Sequence, residues 1–109
     1  MDAPGGAVAA DDTNRILAVS RPLADALGWA VDDLVGRRIV ALVPPALREA
    51  HVAGFSRHLT TGETRVLGVP VQLPVLRADG SVVTCDVLIE QRAAVSGRHL
   101  YVAHLEPVG

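Results

Sequence analysis

Apolar residues fall into two short runs near the start of the chain, at 7–10 and 16–19, and the stretch 11–14 between them is polar. That stretch consists of Asp, Thr and Asn, whose side chains bond to nearby backbone groups and favour turns. Short apolar runs joined by a compact polar segment are typical of a β-hairpin. We therefore predict two strands at 7–10 and 15–20 with a tight turn between them.

The spacing of the apolar residues becomes helical after Ser20. Leu23, Ala26 and Leu27 lie three and four positions apart, which places them on one face of a helix. Ser20 is a residue type that caps a helix N-terminus, and Gly28 is the type that ends a helix in the left-handed conformation. A short helix is therefore predicted between Ser20 and Gly28.

Two more helices are predicted in the middle of the chain. The first is short and covers residues 31–34. The second begins after a pair of prolines and runs from Pro45 to about Thr61, with Gly62 as its stop signal. One side of this long helix forms an apolar stripe that also carries both of its histidines, and its residues are Leu47, His51, Gly54, Phe55, His58 and Leu59.

The remaining sequence predicts three strands. Their ranges are 65–76, 81–91 and 99–105, with hairpin turns at Asp79-Gly80 and at Ser96-Gly97. The second strand alternates between apolar and polar residues, which indicates one buried face. Its apolar positions are Val83, Cys85, Val87 and Ile89. Pro70 and Pro74 remove backbone donors from the first strand, so we expect that strand at an edge of the sheet.

The order of these elements is β-β-α-α-α-β-β-β. It predicts an α+β fold in which helices cover one face of a five-stranded antiparallel sheet. The length of 109 residues suits one hydrophobic core. We therefore expect a single domain over residues 1–109, with its core at about 7–106.

Composition narrows the functional classes. All ten basic residues are arginines spread along the chain, and the net charge is -2, so the sequence shows no basic patch for nucleic acid. Aromatic residues are only 3%, which argues against a surface that stacks bases. The longest apolar runs are shorter than a membrane span, and no signal peptide is visible. We expect a cytoplasmic protein with no direct contact to nucleic acid or membrane.

The chemistry-bearing residues do not form an enzyme motif. The sequence has no phosphate-binding loop, no Ser/His/Asp order and no His-x-x-x-His. His99 and His104 are predicted on opposite faces of the last strand, and therefore not as a metal pair. The single cysteine, Cys85, belongs to the buried face of its strand, where we expect an inert thiol. We predict that the chain is not an enzyme.

The element order, together with short motifs placed along it, resembles a PAS domain over about residues 7–106. The matching stretches are 14–20, 27–29, 32–37, 42–44, 48–51, 61–68 and 76–81. This resemblance implies a sensor or input domain with a cavity between the long helix and the sheet. It also implies a homodimer and an effector, such as a histidine kinase of a two-component system or a transcription regulator, in the same protein or in trans.

Residues 42–81 are most similar to the PAS domains of rhizobial oxygen-sensing histidine kinases, which bind heme b. In those domains the iron ligand is a histidine of the long helix in an Arg-x-x-His context, and residues 48–51 have that form. The resemblance thus implies His51 as the metal ligand. Val71 stands where those sensors carry the arginine that stabilises bound oxygen, so oxygen-specific sensing is not implied.

The same resemblance implies an apolar cofactor pocket. Its expected residues are His51, Phe55, Val66, Leu67, Val71, Val87 and Ile89. Three hypotheses stay open for it: heme b on His51 as a gas or redox sensor, an apolar metabolite such as a fatty acid, or a filled core in a module that only dimerises. Light-sensing relatives attack a flavin with a cysteine on the helix, and this helix has none. Flavin photochemistry is therefore not expected.

Overall fold

The computed structural model describes residues 6–51, 68–93 and 99–108. Its strands are β1 (Gly6–Asp11), β2 (Ile16–Val19), β3 (Val71–Leu76), β4 (Val82–Ala93) and β5 (His99–Pro107). Its helices are α1 (Arg21–Leu27) and α2 (Val31–Leu34), followed by 3-10 helices at Ile39–Leu42 and Pro45–Leu47. Residues 48–51 are α-helical. The remainder of the predicted long helix and the predicted Ser96-Gly97 turn lie outside the described residues.

The five strands form one antiparallel sheet in the order β2-β1-β5-β4-β3. This confirms the predicted α+β fold. It also confirms the edge position of β3, because β3 pairs with β4 alone within the sheet. The extent predicted for β3 was too long: it begins only at Val71, and Pro70 precedes the strand while Pro74 lies within it. The 65–67 part of that prediction lies outside the described residues.

The predicted hairpin at the start of the chain is present, and its turn is held by Asp11. The Asp11 carboxylate accepts hydrogen bonds from the backbone N–H groups of Thr13 and Arg15 and from the Thr13 hydroxyl. Asn14 has a φ of +67° and is the one non-glycine residue with positive φ in the described ranges. Asn tolerates this conformation better than most residues, so the polar turn cluster suits the geometry.

Helix α1 differs from its prediction in two details. Ser20 occupies the N-cap position, yet its hydroxyl does not cap the helix and instead accepts the backbone N–H of Ala7 at 2.9 Å. Ala24, not Ala26, is buried together with Leu23 and Leu27. Both differences arise from β1, which lies against α1 and selects the face that is covered.

Two predicted glycine positions have the left-handed conformation, one at the end of α1 and one in the turn between β3 and β4. Gly28 follows α1 with a φ of +79°, and Gly80 has a φ of +91° in the hairpin turn. In that turn the Asp79 carboxylate accepts the backbone N–H and the hydroxyl of Ser81, and these bonds lower the pKa of Asp79. The backbone N–H of Ala78 donates to the carbonyl of Leu27 at 2.9 Å, so the hairpin is joined to α1.

The core lies between the sheet and the short helices. Its largest fully buried side chains are Ile16, Leu23, Leu27, Leu34 and Cys85. They come from β2, α1, α2 and β4, so the packing unites elements from both halves of the chain. Full burial of one such aliphatic side chain stabilises the fold by about 1.5–3 kcal/mol. Leu47 was predicted on the apolar side of the long helix and is 43% exposed instead.

Candidate functional site

The helix-facing side of the sheet is aliphatic at β3, β4 and β5. On β4 the alternation is as predicted: Cys85 and Val87 are buried, and Val83 and Ile89 are partly buried against the core. The residues between them face the other way, and Thr84 is exposed. This face of β4 therefore presents branched aliphatic side chains toward the helices.

Three of the predicted pocket residues come together on this surface. Val71 is the register partner of Val87 across β3 and β4, and Ile89 follows Val87 two positions along the same face. Ala103 of β5 is the register partner of Ile89 and continues the surface. Val71, Ile89 and Ala103 are only partly buried, which leaves apolar area open beside the core. We refer to Val71, Val87, Ile89 and Ala103 as the aliphatic patch.

The other predicted pocket residues are not all described. Phe55, Val66 and Leu67 lie outside the described residues, and so does His58. Their predicted roles stay predictions. The backbone N–H of Gly68 donates to the carbonyl of Ile89 at 2.8 Å, which places Gly68 beside the aliphatic patch.

His51, the predicted iron ligand, contacts the β1–β2 turn. Its Nε2 atom lies 3.0 Å from Nδ2 of Asn14 in a partly buried contact. Burial lowers the pKa of His51, because desolvation disfavours the imidazolium. With the side-chain nitrogen of Asn14 facing the ring, Nε2 of His51 is the acceptor, and this arrangement places the proton of the imidazole on Nδ1.

The sequence placed Asn14 in the predicted turn and at the start of the matching stretch 14–20, without a role in the site. Its backbone N–H donates to the carbonyl of Asp11 at 2.9 Å, and its own carbonyl accepts the N–H of Ile39 at 2.8 Å. With the side-chain bond to His51, Asn14 therefore connects the turn to two later segments. Asn14 and His51 are separated by 37 positions in the sequence, which is why no local pattern could have shown this contact.

The described residues do not fit a heme on His51 in this conformation. An axial histidine binds iron through the lone pair of a ring nitrogen, usually Nε2. In His51 that lone pair accepts the hydrogen bond from Asn14. Heme at His51 therefore stays a prediction, and the contact with Asn14 counts against it.

Cys85 lies at the centre of the core and is 0% exposed. Desolvation raises the pKa of its thiol, which keeps the thiol protonated and unreactive at neutral pH. Its place on β4 agrees with the predicted buried face. It is the chain's one cysteine, so no thiol is left for the long helix.

A labelling experiment tests the burial of Cys85. We expect native protein to react with a thiol reagent at least about a thousandfold more slowly than protein in denaturant, because access requires an opening that costs most of the folding free energy. Native reaction at a rate close to the denatured one would show that β4 is not covered as described. Because Cys85 is the only cysteine, the absorbance signal has a single source.

The outward side of the sheet is polar around Glu90. His104 Nε2 and Arg92 lie 3.2 and 3.1 Å from the Glu90 carboxylate, and their hydrogen bonds lower its pKa. His99 contacts the Tyr101 ring edge-on, while His104 turns to Glu90, which agrees with the prediction of opposite faces. Among the residues of the described ranges, no three His, Cys, Asp or Glu side chains are grouped as a metal site would require.

Comparison with known proteins places the chain in a recognised group. The family model for the PAS fold matches residues 2–105. A curated relative from Azorhizobium caulinodans, an uncharacterized protein, is 29% identical over 93% of this chain, and the chain spans 14% of that relative's length.

No helix within the described ranges has the length and apolar character needed to cross a bilayer.

Two solved structures show the fold. The PAS domain of an HTR-like protein from Haloarcula marismortui has a TM-score of 0.77 at 18% identity, covering 98% of this chain and 84% of that one. A light-oxygen-voltage domain studied with a flavin analogue has a TM-score of 0.72 at 23% identity, covering 95% and 77%. At these identities the likeness concerns the fold alone.

Proposed function

Because this chain belongs to the PAS fold family, we propose that it is a non-catalytic input domain that binds a small apolar molecule against the aliphatic patch. The observation that carries the proposal is the set of partly buried side chains on the helix-facing side of the sheet. An apolar ligand laid there would bury the area that Val71, Ile89 and Ala103 leave open. Such burial contributes about 25 cal/mol per Å² of apolar surface.

The role as an input domain is supported by the small share of the Azorhizobium caulinodans protein that this chain spans. One copy of this domain spans 14% of the protein from Azorhizobium caulinodans. A ligand-dependent change in such a module acts on something outside it. We propose that the recipient is an effector such as a histidine kinase or a transcription regulator in the cytoplasm, and that the domain acts as a homodimer.

A flavin photocycle of the kind that uses a helix cysteine is not part of this proposal. The chain has one cysteine, and Cys85 is fully buried on β4. Although one similar structure is a light-oxygen-voltage domain, the thiol of this chain lies on a different element from the one that the light-sensing relatives use.

Two neighbouring positions of β4 allow a matched test of the aliphatic patch. Ile89 faces the helices and Leu88 faces the opposite side, and both are partly buried. We expect Ile89→Gln to weaken binding of a fluorescent fatty acid, such as cis-parinaric acid, about 5- to 150-fold. The reason is that an amide left without a partner against an apolar ligand costs about 1–3 kcal/mol. Leu88→Gln should change the Kd less than twofold.

Equal effects of the two substitutions, or no binding by the wild type, would contradict the proposal. Circular dichroism of both variants confirms that each is folded. Mass spectrometry of an organic extract of the purified protein then identifies any apolar molecule that it retained. A filled core in a dimerisation module predicts no retained molecule and no titration with the probe.

A further inference from the structure

The contact between Asn14 and His51 has a role that the family resemblance does not supply. We infer that Asn14 holds His51 as a structural link between the β1–β2 turn and the helix that begins at residue 48, through a hydrogen bond that occupies the Nε2 lone pair that iron would need. This inference does not depend on which apolar ligand the domain takes.

The first step of the argument is the position of Asn14 among its neighbours. Its backbone bonds to Asp11 at the end of β1 and to Ile39 at the start of a 3-10 helix, at 2.9 and 2.8 Å. Its side chain reaches His51 at 3.0 Å. Three segments that are distant in sequence therefore meet at one residue. A displacement of the start of the helix would therefore be transmitted to the β1–β2 turn through the contact between His51 and Asn14.

The second step is the chemistry of the imidazole. Nε2 has one lone pair, and the Asn14 amide donates to it. A bond from Nε2 to iron would need the same lone pair, so the two partners exclude each other. The hydrogen bond thus fixes the proton on Nδ1, and the nitrogen that would ligate a metal is already engaged.

The third step is that the backbone conformation at position 14 allows substitutions that change the side chain and leave the turn in place. The φ of +67° is tolerated by Asn, Asp and Gly and strains other residues. Asn14→Asp keeps the shape and replaces the donating amide by an acceptor. Asn14→Gly keeps the backbone conformation and removes the side chain. These two variants change the bond to His51 without forcing a new turn.

Nitrogen NMR of the histidine rings tests the link directly. In the wild type we expect Nε2 of His51 to be unprotonated and Nδ1 to carry the proton. In Asn14→Asp the proton should move to Nε2, which then donates to the carboxylate, and the Nε2 resonance should shift into the protonated range. In Asn14→Gly the ring should lose its fixed tautomer. His51→Ala assigns the signals, and the dispersion of the amide spectrum reports whether each variant is folded.

Two results would overturn the inference. One is a wild-type ring with its proton on Nε2, or a tautomer that is the same in the wild type and in both Asn14 variants. The other is a Soret band in wild-type protein expressed with heme supply that disappears in His51→Ala. No Soret band, together with the tautomer change in Asn14→Asp, is the expected pair of results. Neither measurement bears on the fatty-acid titration, so failure here and failure of the proposed ligand site are distinguishable.

Discussion

Replacing Leu27 by Ala is expected to lower the free energy of unfolding by about 2–5 kcal/mol, the range found for buried leucines that leave a cavity. Leu27 is 0% exposed and belongs to the core cluster between α1 and the sheet. Its carbonyl also accepts the N–H of Ala78, so a shift of α1 would loosen the β3–β4 hairpin. Urea denaturation followed by circular dichroism measures the loss as a lower midpoint with an unchanged slope.

Leu17→Ala is the matched control, because Leu17 lies on β2 and is 48% exposed. We expect it to change the free energy of unfolding by no more than about 0.5 kcal/mol. Similar losses in the two variants would mean that the cluster around Leu27 is not the core of the fold.

Much of this fold could be predicted because its signals are short-range. The alternation along β4 requires only a period of two, and Asp79-Gly80 specifies its turn within four residues. The left-handed Gly28 is equally local, since a missing Cβ is what the helix end needs. Elements of this kind can be recognised before any tertiary contact is known.

The features that the sequence did not predict depend on tertiary partners. Ser20 has the right type for a cap, but its hydroxyl bonds to Ala7, 13 positions away, once β1 lies beside it. Ala26 and Ala24 both suit a helix face, and only the docking of α1 decides that Ala24 is buried. The hydrogen-bond partner of His51 likewise depends on the β1–β2 turn, which brings Asn14 next to the imidazole. The motif around His51 describes the helix and carries no information about that turn.

The packing of α1 against β1 also determines what a substitution of Gly6 does to the stability of the fold. A Cβ added at Gly6 would lie 2.4 Å from Cβ of Leu23, far inside van der Waals contact. Gly6 is not among the glycines with positive φ, so its backbone suits alanine. With room for a methyl group, Gly6→Ala would therefore stabilise the fold by about 0.4–1 kcal/mol through the unfolded chain. The contact with Leu23 reverses that sign, and we expect a destabilisation of about 1–3 kcal/mol.

Thermal or urea denaturation measures how Gly6→Ala changes the free energy of unfolding. A loss of stability supports the close contact with Leu23, whereas a gain would mean that the effect on the unfolded chain dominates. Gly36→Ala serves as the comparison, since a Cβ there meets nothing within 4 Å and only the left-handed φ of +94° opposes it. That strain costs about 1–2 kcal/mol but should leave the packing of α1 unchanged. Gly6→Ala should in addition shift the amide resonances of α1, because β1 and α1 must move apart. A stabilised Gly6→Ala protein would show that α1 does not approach β1 as closely as the structure places it.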